Sequence, residues 1–277
     1  VRDYIVEMLS KVLGEAPISY IKWDMNRHMT EVGSAGLASE QQRETAHRFV
    51  LGLYDVLERL TSRFPDILFE SCSGGGGRFD PGMLYYMPQT WTSDNTDAIS
   101  RLSIQYGTSM LYPASSMGAH ISAVPNHQNK RITSLEMRGL VAMSGNFGYE
   151  LNVKEMTDEE KAEVKEQIAL YKEIRRTVLY GNQYRLLSPF EGNETAWIYV
   201  AEDGSEAVAF YFYTLAVTNT GNMHRRLKFA GLDPEKMYKV KETGEVYGGD
   251  YLMNVGLLTP PMVLGDFKGA IWHLIAQ

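Results

Sequence analysis

Apolar positions along the first 183 residues follow two alternating rhythms, one helical and one short and uniformly apolar. The opening "VRDYIVEMLSKVLG" sets Ile5, Met8, Leu9, Val12 and Leu13 on one helical face. Gly14–Pro17 ends that helix, and residues 18–23 read as a buried strand. After a loop over 28–39, a helix is predicted over about 40–63, with Phe49, Leu53, Val56, Leu57 and Leu60 at helical spacing. "ILFES" (67–71) is the next strand and "SGGGGRFD" its loop; a short helix near 81–87 leads to the strand-like "QTWTSD" (89–94). A helix over 97–106, a strand over 109–113 and a long irregular loop to about 130 follow. A helix near 131–143 precedes "NFGYELNV" (146–153), a last short strand. Thr157 and Glu160 make a capping box for a long helix to about 181, with Val164, Ile168, Tyr171, Ile174 and Val178 inward.

Strands of this uniformly apolar kind, alternating with helices, mean an α/β architecture with a parallel sheet. The pattern holds five strand–loop–helix units, too few to close an eight-stranded barrel. An open sheet and the second half of a barrel both fit. From residue 184 the rhythm changes. "TAWIYVA", "EAVAFYFYTLAV", "HRRLKFAG", "MYKVKETGEVYGGDYLM" and "GAIWHLIAQ" are rich in Tyr and Val and broken by Asp203-Gly204, Thr243-Gly244 and Gly248-Gly249. Two domains are therefore expected: 1–183, α/β, and 184–277, an antiparallel β-sandwich.

Composition narrows the function more than the fold. A formal net charge of −7 with scattered basic residues argues against nucleic acid or an anionic membrane as partner. No apolar run approaches the roughly 20 residues of a membrane helix. The single cysteine, Cys72, allows no internal disulfide and points to an intracellular, cytoplasmic chain. The six histidines are dispersed and no metal-ligand spacing occurs, so neither metal nor cofactor is expected. A start inside a helix, without Met, suggests one piece of a larger protein.

The candidate chemistry sits at strand ends. In "SYIKWDMNR", alternation puts Lys22, Asp24 and Asn26 on one side and Trp23 on the other. Ligands of parallel α/β sheets bind at the C-terminal strand ends, so Asp24 reads as a nucleophile or electrostatic stabiliser kept ionised by Lys22, or more plainly as a strand-end ion pair. In "ESCSGGGGRFD" the Gly run lets backbone approach a ligand closely, but no phosphate fingerprint surrounds it. Cys72 reads as a small buried residue or a pocket wall, Arg78 as a loop tie and Asp80 as a helix cap. "QTWTSDNTD" ends a third strand with Trp91 and an acid, Asp94, while Asp97 is placed to cap a helix. Two carboxylates on separate strand ends, among amides and aromatics, suit glycoside hydrolysis, with Asp94 kept protonated by repulsion from Asp24.

"KWDMNR", "CSGGGGRFDPGMLYYMPQTWTSDNTDAISRLSIQYGTSMLYP" and "SSMGAHISAVPNHQ" resemble, collinearly over about residues 18–150, the α-galactosidases of glycoside hydrolase family 36. The resemblance implies the C-terminal half of a (β/α)8 barrel followed by a C-terminal antiparallel β domain. It implies retaining hydrolysis of terminal non-reducing α-galactosides of the raffinose and melibiose type. By resemblance Asp24 is the nucleophile and Asp94 the acid/base. Lys22 and Asn26 hold galactose hydroxyls, Cys72 and Gly75 line the sugar pocket, and Trp91 shapes it. The implied partners are α-galactoside oligosaccharides, and full-length members are often homo-tetramers. Family members are much longer, and their upstream strands supply an acidic pair and an arginine that this chain lacks, so the isolated chain is expected to have little activity. The competing readings are a related transglycosidase, an α-N-acetylgalactosaminidase, and a non-catalytic carbohydrate-binding fragment using Tyr211, Tyr213, Tyr238, Tyr247 and Tyr251. A nucleotide-binding open sheet lacks its fingerprint.

Overall fold

The two rhythms become two kinds of sheet in the computed structural model, which describes residues 1–27, 29–218 and 225–277. The chain forms two compact units, Val1–Asp94 and Asn95–Gln277. In the first, α1 (Arg2–Glu15), β1 (Tyr20–Asp24), α2 (Thr45–Arg63), β2 (Leu68–Cys72), α3 (Pro81–Tyr86) and β3 (Gln89–Trp91) follow one another. β1 pairs with β2 in parallel, Asp24 opposite Cys72, and β2 pairs with β3, Glu70 opposite Gln89. Helical spacing on α1 and α2 is satisfied by burying Val6, Leu13, Val56, Leu57 and Leu60, with Phe69 of β2 and Met83 of α3. That core occupies the side of the strands opposite to Lys22, Asp24, Glu70 and Cys72. Burial of a side chain such as Leu57 or Phe69 is worth about 1.5–3 kcal/mol.

The second unit begins with α4 (Ala98–Thr108), β4 (Met117–Ser122), α5 (Leu135–Ala142), β5 (Asn146–Glu150) and α6 (Asp158–Tyr180). β4 and β5 pair in parallel, Gly118 opposite Asn146, strands of the same half-barrel kind as β1–β3. Thr157 caps α6 through the expected box with Glu160, and Asp97 caps α4 by accepting from Ser100 N–H at 3.1 Å.

One expected strand is wrong. Residues 109–113 close the C-terminal end of α4, with the N–H groups of Ser109, Met110, Leu111 and Tyr112 bonded to carbonyls of residues 105–108. Leu111 is 83% exposed. The strand is instead "MGAHIS", inside the stretch expected to be a loop. Its Gly, Ala, His and Ser give no apolar run, and its burial comes from its neighbours in the sheet.

Thereafter come β6 (Asn182–Leu187), β7 (Glu194–Val200), β8 (Glu206–Tyr213), β9 (Arg226–Leu227), β10 (Met237–Val240), β11 (Val246–Gly248), α7 (Gly249–Asn254), β12 (Leu257–Leu258) and β13 (Lys268–Ala276). They form an antiparallel six-stranded sheet, β11-β10-β13-β8-β7-β6, and a two-stranded one, β12-β9. His224, which opens the expected strand "HRRLKFAG", lies outside the described residues; the strand itself shrinks to Arg226–Leu227. β7 and β8 are buried at nearly every position because both faces of the sheet are covered. One face, with Trp197, Tyr199, Phe210 and Phe212, packs on Leu102, Leu140 and Ile174 of α4, α5 and α6. The other, with Ile198, Tyr211 and Leu274, packs on Leu227, Phe229 and Leu252.

Candidate active site at the strand ends

β1, β2 and β3 deliver the expected site residues to one rim because parallel strands end on the same side. Lys22 and Asp24 lie on the exposed face of β1, whose burial alternates along the strand. The Lys22 ammonium stands 4.8 Å from the ring centroid of Trp91 at the end of β3, a cation–π contact. Asn26, just past β1, is the connector. Its Nδ2 donates to Asp24 Oδ2 at 2.7 Å, and its Oδ1 accepts from the Gly74 N–H at 2.7 Å. The Asp24 carboxylate is thus anchored through one amide to the glycine loop after β2.

That loop is held from several sides. Ser73 N–H donates to the Gly75 carbonyl at 2.8 Å, and Ser73 Oγ donates to the Met25 carbonyl at 2.5 Å. Arg78 donates to the Arg27 carbonyl at 2.6 Å and to Ser73 Oγ at 3.2 Å, the loop tie expected of it, and Asp80 caps α3 through Met83 N–H. Gly75 has φ +75°, and a Cβ there would lie 2.5 Å from Ser93 Cα and 2.9 Å from Asp94 N. The glycine at 75 approaches the chain's own backbone at Ser93–Asp94, which it sets beside the loop. Asp94 itself is exposed beyond the end of β3.

Cys72 is buried in the rim, directly opposite Asp24 in the β1–β2 register. Burial pushes the thiol up to about 11; the neighbouring Asp24 adds to the rise, while the Gly75 backbone and the Lys22 charge offset part of it. It stays protonated and is no thiolate nucleophile. Asp24 takes a hydrogen bond from Asn26, while Lys22 stands over Trp91. Lys22, Asp24, Asn26, Cys72, Gly75, Trp91 and the Asp94 backbone all belong to this one unit. Three further side chains escaped the sequence reading: Tyr20, Glu70 and Gln89. Only the acid inside "ILFES" could have signalled them. Among the described residues, no group of three or more His, Cys, Asp or Glu could hold a metal ion, and no helix is long and apolar enough to cross a membrane.

A parallel half-barrel with carboxylates, an amide and an aromatic at its C-terminal strand ends belongs with the barrel glycoside hydrolases. More narrowly, the chain is a member of the melibiase family of glycoside hydrolase family 36. The family model Melibiase matches residues 1–181, and that of the glycosyl hydrolase family 36 C-terminal domain matches 194–274. The chain is 62% identical to alpha-galactosidase AgaA of Geobacillus stearothermophilus over 99% of its length, and 50% identical to alpha-galactosidase Mel36A of Lactobacillus acidophilus over 100%. It covers 37% of each of these relatives. The crystal structure of AgaA superimposes with a TM-score of 0.96 at 61% identity, over 100% of this chain and 38% of that one. An AgaA variant solved in complex with raffinose gives 0.96 at 60% identity, with the same coverage.

Proposed function

We propose that this chain is the part of a retaining α-galactosidase that carries both catalytic carboxylates. Its substrates are terminal non-reducing α-galactosides of the raffinose and melibiose type. The observation that carries this reading is the bridge Asp24–Asn26–Gly74, with Gly75 seated against the Asp94 backbone. It ties two carboxylate-bearing segments from different strands into one rim, which a pair of unrelated surface acids would not need.

In the proposed reaction Asp24 attacks the anomeric carbon while the Asp94 carboxyl gives its proton to the departing glycosidic oxygen. The product of this step is a galactosyl ester on Asp24. Asp94, now a carboxylate, takes a proton from water as that water attacks the same carbon and releases Asp24. Two inversions leave the α configuration unchanged. Asn26 holds the nucleophile in place between the two steps. Lys22, charged and fixed over Trp91, offers donors to a sugar hydroxyl whose ring face Trp91 helps to shape.

In this reading residues 1–183 are barrel and 184–277 the β domain, a division supported by family matches that end at 181 and resume at 194. A cytoplasmic site of action is part of the proposal and rests on the lone cysteine. The non-catalytic reading through the β domain loses its stacking faces at Tyr211, Tyr213 and Tyr238, which are fully buried. The test is proton NMR of early turnover of an α-galactoside by the complete native polypeptide. α-Galactose should appear first and mutarotate later; β-galactose appearing first would overturn the retaining mechanism, and no galactose at all the activity.

A further inference from the structure

Directly beneath the rim lies a polar layer that the proposed reaction does not use. Glu70 is opposite Lys22 on β1 and opposite Gln89 on β3, so the three side chains share one face. Tyr20 and Gln89 lie two residues before Lys22 and Trp91 on the same strands. The Glu70 side chain is 1% exposed. Its Oε2 accepts from the Tyr20 hydroxyl and from Gln89 Nε2, the latter at 3.1 Å, and Gln89 Nε2 also reaches the Tyr20 oxygen at 3.2 Å. Its Oε1 is buried with no hydrogen-bond partner among the described residues. A carboxylate buried with one oxygen unpartnered is costly, and such a group inside an otherwise satisfied layer calls for a role. The nearest strand position that carries a cation is Lys22.

Resting on the α-galactosidase reading, we propose that Glu70 is a positioning residue for Lys22. Its buried negative charge, one strand away, holds the ammonium over Trp91 and at the height where a sugar hydroxyl meets it. Tyr20 and Gln89 occupy Oε2, and Oε1 is the carboxylate oxygen left without a hydrogen bond among the described residues, on the strand position beside Lys22. Glu70 touches neither sugar nor reacting atoms.

The test uses the complete native polypeptide and p-nitrophenyl α-galactoside. Glu70→Gln keeps the shape and removes the charge. It should raise KM about five- to tenfold with kcat within twofold, and the same change made in a Lys22→Met background should alter kcat/KM less than twofold. An effect of Glu70→Gln that persists undiminished without Lys22, or an unchanged KM, overturns the proposal. Acetylation of Lys22 by acetic anhydride, followed by peptide mass spectrometry, reads the same contact without turnover. Its rate should rise at least fivefold in Glu70→Gln while Lys11 and Lys268 keep theirs, and an unchanged Lys22 rate overturns the proposal even if the protein hydrolyses no galactoside. If Glu70→Gln does not fold, Tyr20→Phe decides: it leaves the charge in place and should keep KM within twofold. A fivefold rise there would mean that the layer acts through packing.

Discussion

β1 and β8 both carry aromatic side chains and place them in opposite ways. β1 alternates between exposed and half-buried positions, and its exposed side chains include Lys22 and Asp24. β8 buries every residue from Ala207 to Tyr213, the aromatic ones included. β1 exposes the face that carries Lys22 and Asp24, the groups proposed to meet the sugar. β8 sits mid-sheet with helices on one side and loops and short strands on the other, so nothing on it is left to do chemistry. The Tyr and Phe side chains of β8 are therefore a stability device, and the oddly charged end of β1 is the proposed functional one. Substitutions in the two strands should separate activity from stability.

The largest effect belongs to Asp24→Asn in the complete polypeptide. It should lower kcat on p-nitrophenyl α-galactoside by about ten-thousandfold or more, since the covalent route is lost. Its melting temperature should stay close to that of the parent. A loss below tenfold would remove Asp24 from the nucleophile role. Asp94→Asn should cost about a hundred- to ten-thousandfold on raffinose, which needs its leaving group protonated. On the p-nitrophenyl substrate, whose leaving group departs without help, the loss should be much smaller. Equal losses on both substrates would argue against an acid.

The opposite behaviour is expected in β8. Phe210 is fully buried, with its ring 6.2 Å from Tyr199 and 6.4 Å from Phe212. Phe210→Ala should destabilise by about 3–5 kcal/mol in chemical denaturation, with kcat per folded molecule unchanged. Gly75→Ala lies between the two kinds. A Cβ at φ +75° and 2.5 Å from Ser93 Cα forces the loop away from the Asp94 segment. The expected penalty is about 1–3 kcal/mol, felt in kcat/KM as well as in stability. A neutral result would mean that the loop does not set the Asp94 backbone.

The smallest effect is a pH dependence. The Cys72 thiol titrates near 11 against an ordinary 9.0. Because the folded form keeps its proton longer, the unfolded chain loses protons first, and stability falls as pH rises from about 9 to 11. Iodoacetamide should label Cys72 negligibly at neutral pH and increasingly toward pH 11. Rapid labelling at pH 7 would show an accessible thiolate where the structure places a buried thiol.

Much of this was legible in the order of residues. The α1 and α2 stripes, the capping box of α6, the caps at Asp80 and Asp97 and the strand ends at Asp24 and Cys72 all depend on local spacing, and local spacing is written in the chain. The strand "MGAHIS" was not legible, because a segment of Gly, Ala, His and Ser is buried by what surrounds it and not by its own pattern. The apolar "SMLYP" misled for the same reason: its backbone groups were already claimed by the end of α4. Glu70 stayed hidden because its importance depends on lying between Lys22 and Gln89, a matter of strand register.

The sequence alone therefore determined most of the kinds of element, an acid and a thiol at the ends of neighbouring strands, and the family they resemble, since each follows from spacing and residue chemistry within one segment. Only the tertiary structure decided that Asn26 bridges Asp24 to Gly74, that Gly75 makes room for the Asp94 backbone, and that Lys22 stands over Trp91. The Asn26–Gly74, Gly75–Asp94 and Lys22–Trp91 contacts join residues 48, 19 and 69 positions apart, and the hydrogen bonds and van der Waals limits that create them act across space, where sequence spacing carries no information.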